Sequence, residues 1–332
     1  MGTRETAFDM GASVGADEIV DDGAVVVAPW NGSKAPALPA RACGAVVIPA
    51  HNEETVIART LTALRPLVAV ESIEVIVVCN GCQDATAEIA RGFRGVIVIE
   101  TGEGSKTRAM NIGDDAATTW PRLYLDADIE VDPRAVLAVF HALSEPGVLA
   151  ARARYVYDVT GATWPVRAYY RARSRIPAPS RRLWGAGGYA TSRDGHERFG
   201  RFAAVTADDS WFDEQFATAE KRVVPTVPMR VRTPRDTAGL LAVLTRQRRG
   251  YVEIEIASHG TTRTKELLRS VRGPAAAADA AWYILLTLRA RRRAQSSLRR
   301  RAQQWERDSS SRTGISPSRT SRDRASRLGE ER

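Results

Sequence analysis

The chain has 332 residues, of which 44% are hydrophobic and 26% charged, a composition typical of a folded globular protein. It excludes collagen-like and wholly disordered classes, and the three cysteines are too few for a secreted disulfide framework. The net charge is +9, and residues 289–332 carry all of it, with fourteen Arg against five acidic residues.

The two ends of the chain lack the patterns of regular structure. Residues 1–41 are rich in Gly, Ala, Asp and Pro, which predicts a flexible leader. Residues 295–332 are rich in Arg and Ser and are predicted to be disordered, because they cannot bury enough apolar surface. No signal peptide is recognisable, and the apolar run Ala275–Leu288 is too short to span a membrane. We therefore expect a cytoplasmic protein.

From residue 44 to residue 152, short apolar runs alternate with helical patterns. Strands are predicted at Gly44–Pro49, Ile73–Cys79, Gly95–Glu100, Arg122–Leu125 and Val148–Arg152, and helices at Glu54–Arg65, Asp84–Arg91, Lys106–Ala117 and Pro133–Leu143. This alternation predicts an α/β fold with a mostly parallel sheet covered by helices on both faces. Such sheets bind ligands at the carboxyl ends of their strands, where we expect the functional residues.

Two carboxylates, Asp126 and Asp128, end the apolar strand that begins at Arg122. Carboxylates gathered in this way favour a hard divalent cation, Mg²⁺ or Mn²⁺, that shares its coordination with substrate phosphates. An Asp-x-Asp pair is also common in solvated strand ends. In that alternative the pair begins a turn, and Asp132 caps the helix that starts at Pro133.

Two other strand ends contain motifs with competing interpretations. CNGC at 79–82 has the spacing of a thioredoxin-like redox motif, but a turn at its central residues with Cys79 in the core explains it better. GEGSKT at 102–107 lacks the spacing of a P-loop, because Ser105 separates the glycine from Lys106. A lysine at the start of a helix can still hold a phosphate.

Four segments together resemble one known family. VVIPAHNEE, VVCNGCQDAT, GSKTRAMNIG and LYLDADI follow one another at strand ends, and they are similar to the nucleotide-sugar-binding half of glycosyltransferase family 2, which has the GT-A fold. The resemblance covers about residues 44–250. It implies a metal-dependent, inverting transfer of a sugar from a nucleotide diphosphate, with a UDP-sugar as the expected donor, to an acceptor hydroxyl.

The resemblance also implies a donor site. Its residues are Pro49, Ala50, Glu53, Asn80, Asp84, Lys106, Asn111, Asp126, Ala127, Asp128, Arg246 and Arg249. Glu53 is expected near the ribose and Asp84 at the uracil edge, while Asp126 and Asp128 are the metal ligands. Arg246 and Arg249 are predicted to share a helix face and neutralise the diphosphate, with a solvated face as the alternative.

The later part of the resembling region implies an acceptor site. Its residues are Trp184, Gly185, Gly187, Gly188, Tyr189 and Asp208. The glycines resemble the family's acceptor loop, in which missing side chains let a sugar approach the backbone, and a flexible surface turn is the alternative. Asp209 matches the catalytic base, and the alternative for the Asp208–Asp209 pair is a cap before a helix at Trp211–Ala219.

The implied organisation has five parts. They are a leader at 1–41, a nucleotide-sugar-binding half at 42–152, an acceptor-binding half at 153–250, a helical extension at 251–294 and a basic tail at 295–332. Two enzymatic alternatives stay open, a retaining GT-A glycosyltransferase and a nucleotidyltransferase of related fold. The non-enzymatic alternative is a basic protein that binds nucleic acid or an anionic surface.

The basic tail favours a membrane surface over nucleic acid as a partner. It follows the amphipathic segment Ala275–Leu288, a combination that fits peripheral docking on an anionic cytoplasmic leaflet. Such docking would suit a lipid-linked acceptor. Aromatic residues are almost absent from the tail, so no specific nucleic-acid partner is expected.

Overall fold

The protein is represented by a computed structural model that describes residues 25–26, 43–69, 73–176, 181–254 and 260–299. Most of the predicted leader and of the predicted disordered tail lies outside these residues. The described parts differ from the prediction, because Val25–Val26 form a strand and residues 295–299 continue a helix. Backbone pairing with Tyr157 and Asp158 explains the strand.

The described residues form eight strands and ten α-helices. The strands are β1 (Val25–Val26), β2 (Gly44–Ala50), β3 (Ile73–Asn80), β4 (Val96–Thr101), β5 (Arg122–Leu125), β6 (Ala150–Asp158), β7 (Gly188–Thr191) and β8 (Lys221–Arg232). The helices are α1 (Ile57–Val68), α2 (Thr86–Arg91), α3 (Lys106–Ala116), α4 (Pro133–Ala142), α5 (Trp164–Ser174), α6 (Arg193–Phe199), α7 (Asp208–Asp213), α8 (Thr237–Glu253), α9 (Gly260–Arg269) and α10 (Pro274–Arg299).

The strands build one sheet in the order β1-β6-β7-β5-β2-β3-β4, and β8 pairs with β6. β2 lies parallel to both β3 and β5, whereas β7 runs antiparallel between β5 and β6. The predicted fold class is confirmed, since the sheet is mostly parallel and helices cover it. The carboxyl ends of β2, β3 and β5 therefore meet at one edge, where ligands bind in such sheets.

The first helix shows where packing changes the predicted boundaries. Helix α1 begins at Ile57 instead of Glu54, because the carbonyl of Glu53 first closes a turn onto Val56 and Ile57. It also continues beyond Pro66, where we expected it to end. Leu67 is fully buried on its inner face, and this packing keeps the helix going through a proline that cannot donate a backbone hydrogen bond.

The alternative interpretations of two strand ends are confirmed as local structure. Cys79 is buried in the core and is a free thiol, as the turn interpretation of CNGC predicts. The Asp132 carboxylate accepts a hydrogen bond from the backbone of Arg134, so it caps α4. The cap at Asp132 leaves open what Asp126 and Asp128 do.

The last helix, α10, packs along α5 and α8. Its inward residues include Tyr283, which stacks on Tyr169 of α5 with 4.9 Å between ring centroids. The apolar face predicted to dock on a membrane is therefore covered by the protein, and Leu285 and Leu288 remain exposed. In the described ranges no helix has the length and apolar character needed to cross a bilayer.

Helix α8 runs through the boundary that was predicted at residue 250 between the acceptor-binding half and the helical extension.

Asp279 joins α10 to α5 through two arginines. Its carboxylate accepts hydrogen bonds from Arg171 Nη2 at 2.8 Å and from Arg175 Nη1 at 3.3 Å, and only 4% of the residue is exposed. Burial would raise the pKa of Asp279, but the hydrogen bonds and charges of Arg171 and Arg175 lower it below its ordinary value. The carboxylate therefore stabilises the fold at neutral pH, and this contribution is lost as the pH falls below the unfolded-state pKa of about 3.9.

We expect Asp279→Asn to lower the free energy of unfolding by about 1–3 kcal/mol at pH 7. The difference from the wild type should shrink as the pH falls toward 3, because protonation removes the same interaction from the wild-type chain. Chemical denaturation of both proteins at pH 7 and at pH 3 measures this difference in the free energy of unfolding. Asp115→Asn is the control, since Asp115 pairs with Arg201 at the exposed surface, where ion pairs contribute little to stability. Equal losses in the two variants would contradict a special role for Asp279.

Candidate active site

A cavity of about 270 Å³ lies at the carboxyl ends of β2, β3 and β5. The predicted site residues that line it are Pro49, Glu53, Asn80, Lys106, Asp126, Ala127, Asp128, Trp184, Gly185, Gly187, Tyr189, Asp208, Asp209 and Arg246. Donor-site and acceptor-site predictions therefore meet in one cavity, although the residues are separated by as many as about 200 positions in the chain.

Four carboxylates and one ammonium group form what we call the acidic end of the cavity: Asp126, Asp128, Asp208, Asp209 and Lys106. Lys106 Nζ lies 2.7 Å from Asp126 Oδ1 and 2.9 Å from Asp208 Oδ2. Burial and the nearby carboxylates of Asp208 and Asp128 raise the pKa of Asp126 to about 6, although Lys106 acts to lower it. The acidic end therefore carries more negative charge than Lys106 offsets.

The acidic end fits Mg²⁺ or Mn²⁺ by its chemistry. Asp126 and Asp128 offer only oxygen atoms, the ligands that these hard cations prefer. Within the described ranges no group of three or more His, Cys, Asp or Glu side chains is placed to enclose a metal. Two carboxylates suffice for a cation that completes its coordination with substrate phosphates and water.

Asp208 and Asp209 do not act as the cap predicted in the alternative reading. They form the first turn of α7, whose N-cap is Ala207 and has no side-chain cap hydrogen bond. Helix α7 ends at Asp213, so it is also shorter than the helix predicted at 211–219. The aspartates are thus available for contacts inside the cavity.

Hydrogen bonds hold the carboxylates of Asp208 and Asp209 in place. The hydroxyl of Tyr189 donates to Asp208 Oδ2 at 2.7 Å. The backbone N–H of Gly185 donates to Asp209 Oδ2 at 2.8 Å, and that of Ser210 donates to Asp209 Oδ1 at 2.7 Å. Burial and the neighbouring charge of Asp208 raise the pKa of Asp209 above its ordinary value. Asp209 is therefore a held carboxylate with increased affinity for a proton, which suits a general base.

The glycine-rich segment forms a tightly packed wall of the cavity. Gly185 and Gly187 have φ values of +83° and +68°, a region that favours glycine. A Cβ at Gly187 would lie 2.5 Å from Ile129, so a larger residue does not fit. The carbonyl of Gly187 also accepts the backbone N–H of Asp126 at 2.8 Å. The segment is thus packed and hydrogen-bonded against the end of β5.

Five predicted site residues are absent from the cavity lining: Ala50, Asp84, Asn111, Gly188 and Arg249. Ala50 accepts a hydrogen bond from Asn80 Nδ2 at 2.8 Å. Asn111 is bonded to the backbone of Phe202 through both ends of its amide, at 3.1 Å and 2.9 Å. These residues support the cavity wall. Gly188 is buried at the start of β7, and Arg249 does not accompany Arg246 into the cavity.

Asp84 is the clearest departure from the predicted donor site. Its carboxylate accepts the backbone N–H of Thr86 at 3.1 Å and that of Glu54 at 3.2 Å. Burial would raise the pKa of Asp84, but these hydrogen bonds and the Thr86 hydroxyl lower it. The Asp84 carboxylate thus holds the residues that begin α2, and its contact with uracil stays a prediction.

Sequence reasoning missed one group of residues in the cavity lining. The group consists of Tyr157, Tyr169, Tyr170, Arg173 and Tyr251, and we call these five residues the tyrosine end. Tyr169, Tyr170 and Arg173 follow the spacing of one helix face on α5, which is the signal available in the sequence. Nothing in that pattern separates a cavity wall from an ordinary buried helix face.

Comparisons with known proteins agree with these motifs. Residues 45–205 match the family model of Glycosyl transferase family 2. No curated protein matches the chain. A mannosyltransferase from Pyrobaculum calidifontis, solved with GDP-Man and Mn²⁺, is 21% identical with a TM-score of 0.49, over 82% of this chain and 79% of that chain. Glucosyl-3-phosphoglycerate synthase from Mycobacterium tuberculosis, solved with Mn²⁺, UDP and glucosyl-3-phosphoglycerate, is 21% identical with a TM-score of 0.48, over 66% and 82%.

The match to the family model covers the strand ends that build the donor side of the cavity. It contains Lys106, Asp126 and Asp128 as well as the glycine-rich segment at 184–189. The predicted enzyme class is therefore confirmed. The chain carries a glycosyltransferase family 2 domain at residues 45–205, the part that builds the donor side of the cavity.

Proposed function

We propose that the chain transfers a sugar from a nucleoside diphosphate sugar to an acceptor hydroxyl, with Mg²⁺ or Mn²⁺ held by Asp126 and Asp128. The observation that carries this proposal is the acidic end of the cavity, which combines an excess of carboxylates with Lys106 at the ends of strands in the matched family domain. Such an arrangement suits a cation shared between protein carboxylates and a diphosphate.

The donor side is proposed to lie in residues 42–152. Pro49, Glu53 and Asn80 line the cavity beside the ends of β2 and β3, where they would bind the nucleoside. Lys106 and Arg246 would hold the diphosphate through charge-assisted hydrogen bonds. A divalent cation bound at the aspartates supplies further neutralisation of the charge on the departing diphosphate.

The acceptor side is proposed to lie in residues 153–250. Trp184 and the glycines would position the acceptor sugar or alcohol, and Asp209 would take the proton from its attacking hydroxyl. The backbone N–H groups of Gly185 and Ser210 donate hydrogen bonds to the Asp209 carboxylate and would hold it in one orientation during this step. A single displacement by this route inverts the configuration at the anomeric carbon.

A donor panel tests the proposed function. Purified protein with Mn²⁺ or Mg²⁺ would be incubated with UDP-, GDP- and dTDP-sugars, and the released nucleoside diphosphate would be measured. Release from one nucleotide series, above the rate without metal, is the expected result. Release of pyrophosphate from a nucleoside triphosphate and a sugar phosphate would instead indicate the nucleotidyltransferase alternative. Absence of nucleotide and metal binding would contradict the proposal.

We also propose that the protein contacts anionic membranes through its basic carboxyl-terminal segment, which would suit a lipid-linked acceptor. The apolar face of α10 packs on α5 and α8, so the contact would be mainly electrostatic. Ala294 is buried and α10 extends to Arg299, so a truncation must spare residues up to 299.

Removing residues 300–332 is expected to leave turnover on a soluble acceptor unchanged. The deletion removes nine Arg and five acidic residues. Affinity for vesicles with anionic lipids should fall at least about tenfold at low salt, since each basic residue near the surface contributes about 1 kcal/mol. Vesicle sedimentation across salt measures this, with duplex DNA in parallel. Unchanged vesicle binding, or tighter binding to DNA than to vesicles, would contradict the membrane proposal.

A further inference from the structure

The two ends of the cavity carry opposite charge. The acidic end holds four carboxylates, whereas the tyrosine end contains Arg173 and four phenols. Its residues come from β6, α5 and α8, which belong to the part of the chain proposed to bind the acceptor. The acidic end and the tyrosine end open into the same cavity, so one pair of substrates could reach both.

Arg173 differs from neighbouring arginines in what surrounds it. Arg230 pairs with Asp158 at 3.2 Å, and Arg232 pairs with Glu130 at 2.8 Å, so each of them has a carboxylate partner. Arg173 Nε instead donates to the hydroxyl of Tyr157 at 3.2 Å. Among the described residues no carboxylate forms an ion pair with Arg173, and the groups that act most strongly on it are phenols.

The phenol beside Arg173 responds to this positive charge. Burial would raise the pKa of Tyr157, but the charges of Arg173 and Arg182 and the Tyr155 hydroxyl lower it below its ordinary value. A buried phenol loses its proton more easily where nearby positive charge and donated hydrogen bonds stabilise its anion. The tyrosine end therefore favours an anion, although the described protein supplies none to Arg173.

Arg173 is half-buried, and a cation that is partly removed from water is stabilised when a negative group meets it. Phosphate and carboxylate oxygens match the planar guanidinium of arginine and accept charge-assisted hydrogen bonds from it. The diphosphate of the donor has its own proposed cations in Lys106, Arg246 and the metal. A second anion at the tyrosine end would thus belong to the other substrate.

On the basis of the proposed glycosyltransferase function, we propose that Arg173 and Tyr157 bind an oxyanion, a phosphate or carboxylate, carried by the acceptor. The acceptor would then place its attacking hydroxyl toward Asp209 while its charged group rests at the tyrosine end. Arg173 is in this view a specificity-determining residue, which selects acidic acceptors over neutral ones of the same size.

Matched probes test this proposal by calorimetric titration of the full chain loaded with UDP and Mn²⁺, which fill the acidic end. The probes are glucose, glucuronate and glucose 6-phosphate. At least one anionic probe is expected to bind about 10- to 100-fold more tightly than glucose. Arg173→Met should remove this preference, and Arg173→Lys should restore part of it by returning the charge. The better anionic probe identifies the oxyanion as a carboxylate or a phosphate.

The control variant is Arg91→Met, which removes an exposed arginine paired with Glu100 and should keep the preference. Equal binding of all three probes to the wild type would overturn the inference. Since this comparison uses only the wild-type chain, it tests the inference even if Arg173→Met does not fold. A preference that persists in a folded Arg173→Met variant would also overturn it. Failure of UDP and Mn²⁺ to bind would count against the proposed function instead, and the probes would then be compared on the unloaded wild type and Arg173→Met.

Discussion

Asp209→Asn is expected to lower turnover by about 10²–10⁴-fold, the usual contribution of a general base. Asparagine keeps the size of the side chain and can still accept a backbone hydrogen bond from Gly185 or Ser210, but it cannot take a proton at neutral pH. Donor affinity should stay almost unchanged, because Asp209 makes none of the proposed contacts to the nucleotide. Steady-state kinetics and titration with the nucleoside diphosphate separate the two effects.

Two further measurements make this prediction decisive. Asp115→Asn introduces the same chemical change on the surface, where Asp115 pairs with Arg201, and it should leave turnover unchanged. NMR of the product should show an anomeric configuration inverted relative to the donor. A retained configuration would remove Asp209 from the base role, because a single displacement from the opposite face cannot retain it.

The sheet could be predicted from the sequence because its strands are apolar on both faces. The runs at β2, β3 and β5 consist mainly of buried apolar residues, which is typical of parallel strands, and their predicted ends differ from the structure by at most one residue. Helix boundaries were predicted less well where packing decided them. Leu67 continues α1 through Pro66, and no local pattern reveals that this leucine is buried.

The acidic end could likewise be predicted, because each of its residues directly follows or begins a recognisable element. Asp126 and Asp128 follow β5, Lys106 begins α3, and the Asp208–Asp209 pair begins α7. The sequence does not reveal that Lys106 bridges Asp126 and Asp208, since that contact depends on how α3 and α7 lie across the sheet.

The tyrosine end and the hydrogen bonds of Asp84 could not be predicted from the sequence, for a different physical reason. Arg173 and Tyr157 are common residue types on a helix and a strand, and only the tertiary fold shows that Arg173 faces phenols in a cavity. Asp84 has a residue type that suits either a nucleobase contact or a helix start. Its hydrogen bonds to the backbone of Thr86 and Glu54 involve chain separations of 2 and 30 residues, and the longer of these is not visible in the sequence.

Asp128→Asn is expected to reduce Mn²⁺-dependent affinity for UDP by at least about 100-fold, since even changes outside a metal's direct ligands cost 10- to 100-fold. Asp128 is a better test than Asp126, whose carboxylate also holds Lys106 at 2.7 Å. Arg59 Nη2 donates a hydrogen bond to the main-chain oxygen of Asp128 at 3.0 Å. The substitution does not change this oxygen, so the local fold should persist.

Calorimetric titration with UDP, with and without Mn²⁺, measures this effect. Without metal, the wild type and Asp128→Asn should bind UDP equally weakly, which separates metal coordination from a direct nucleotide contact. Asp132→Asn is the matched control, because Asp132 lies four positions further along the chain and caps α4 outside the cavity lining. Its Mn²⁺-dependent affinity should equal that of the wild type. If Asp128→Asn also keeps the full affinity, Asp128 does not hold the cation, and the excess charge of the acidic end then requires another explanation.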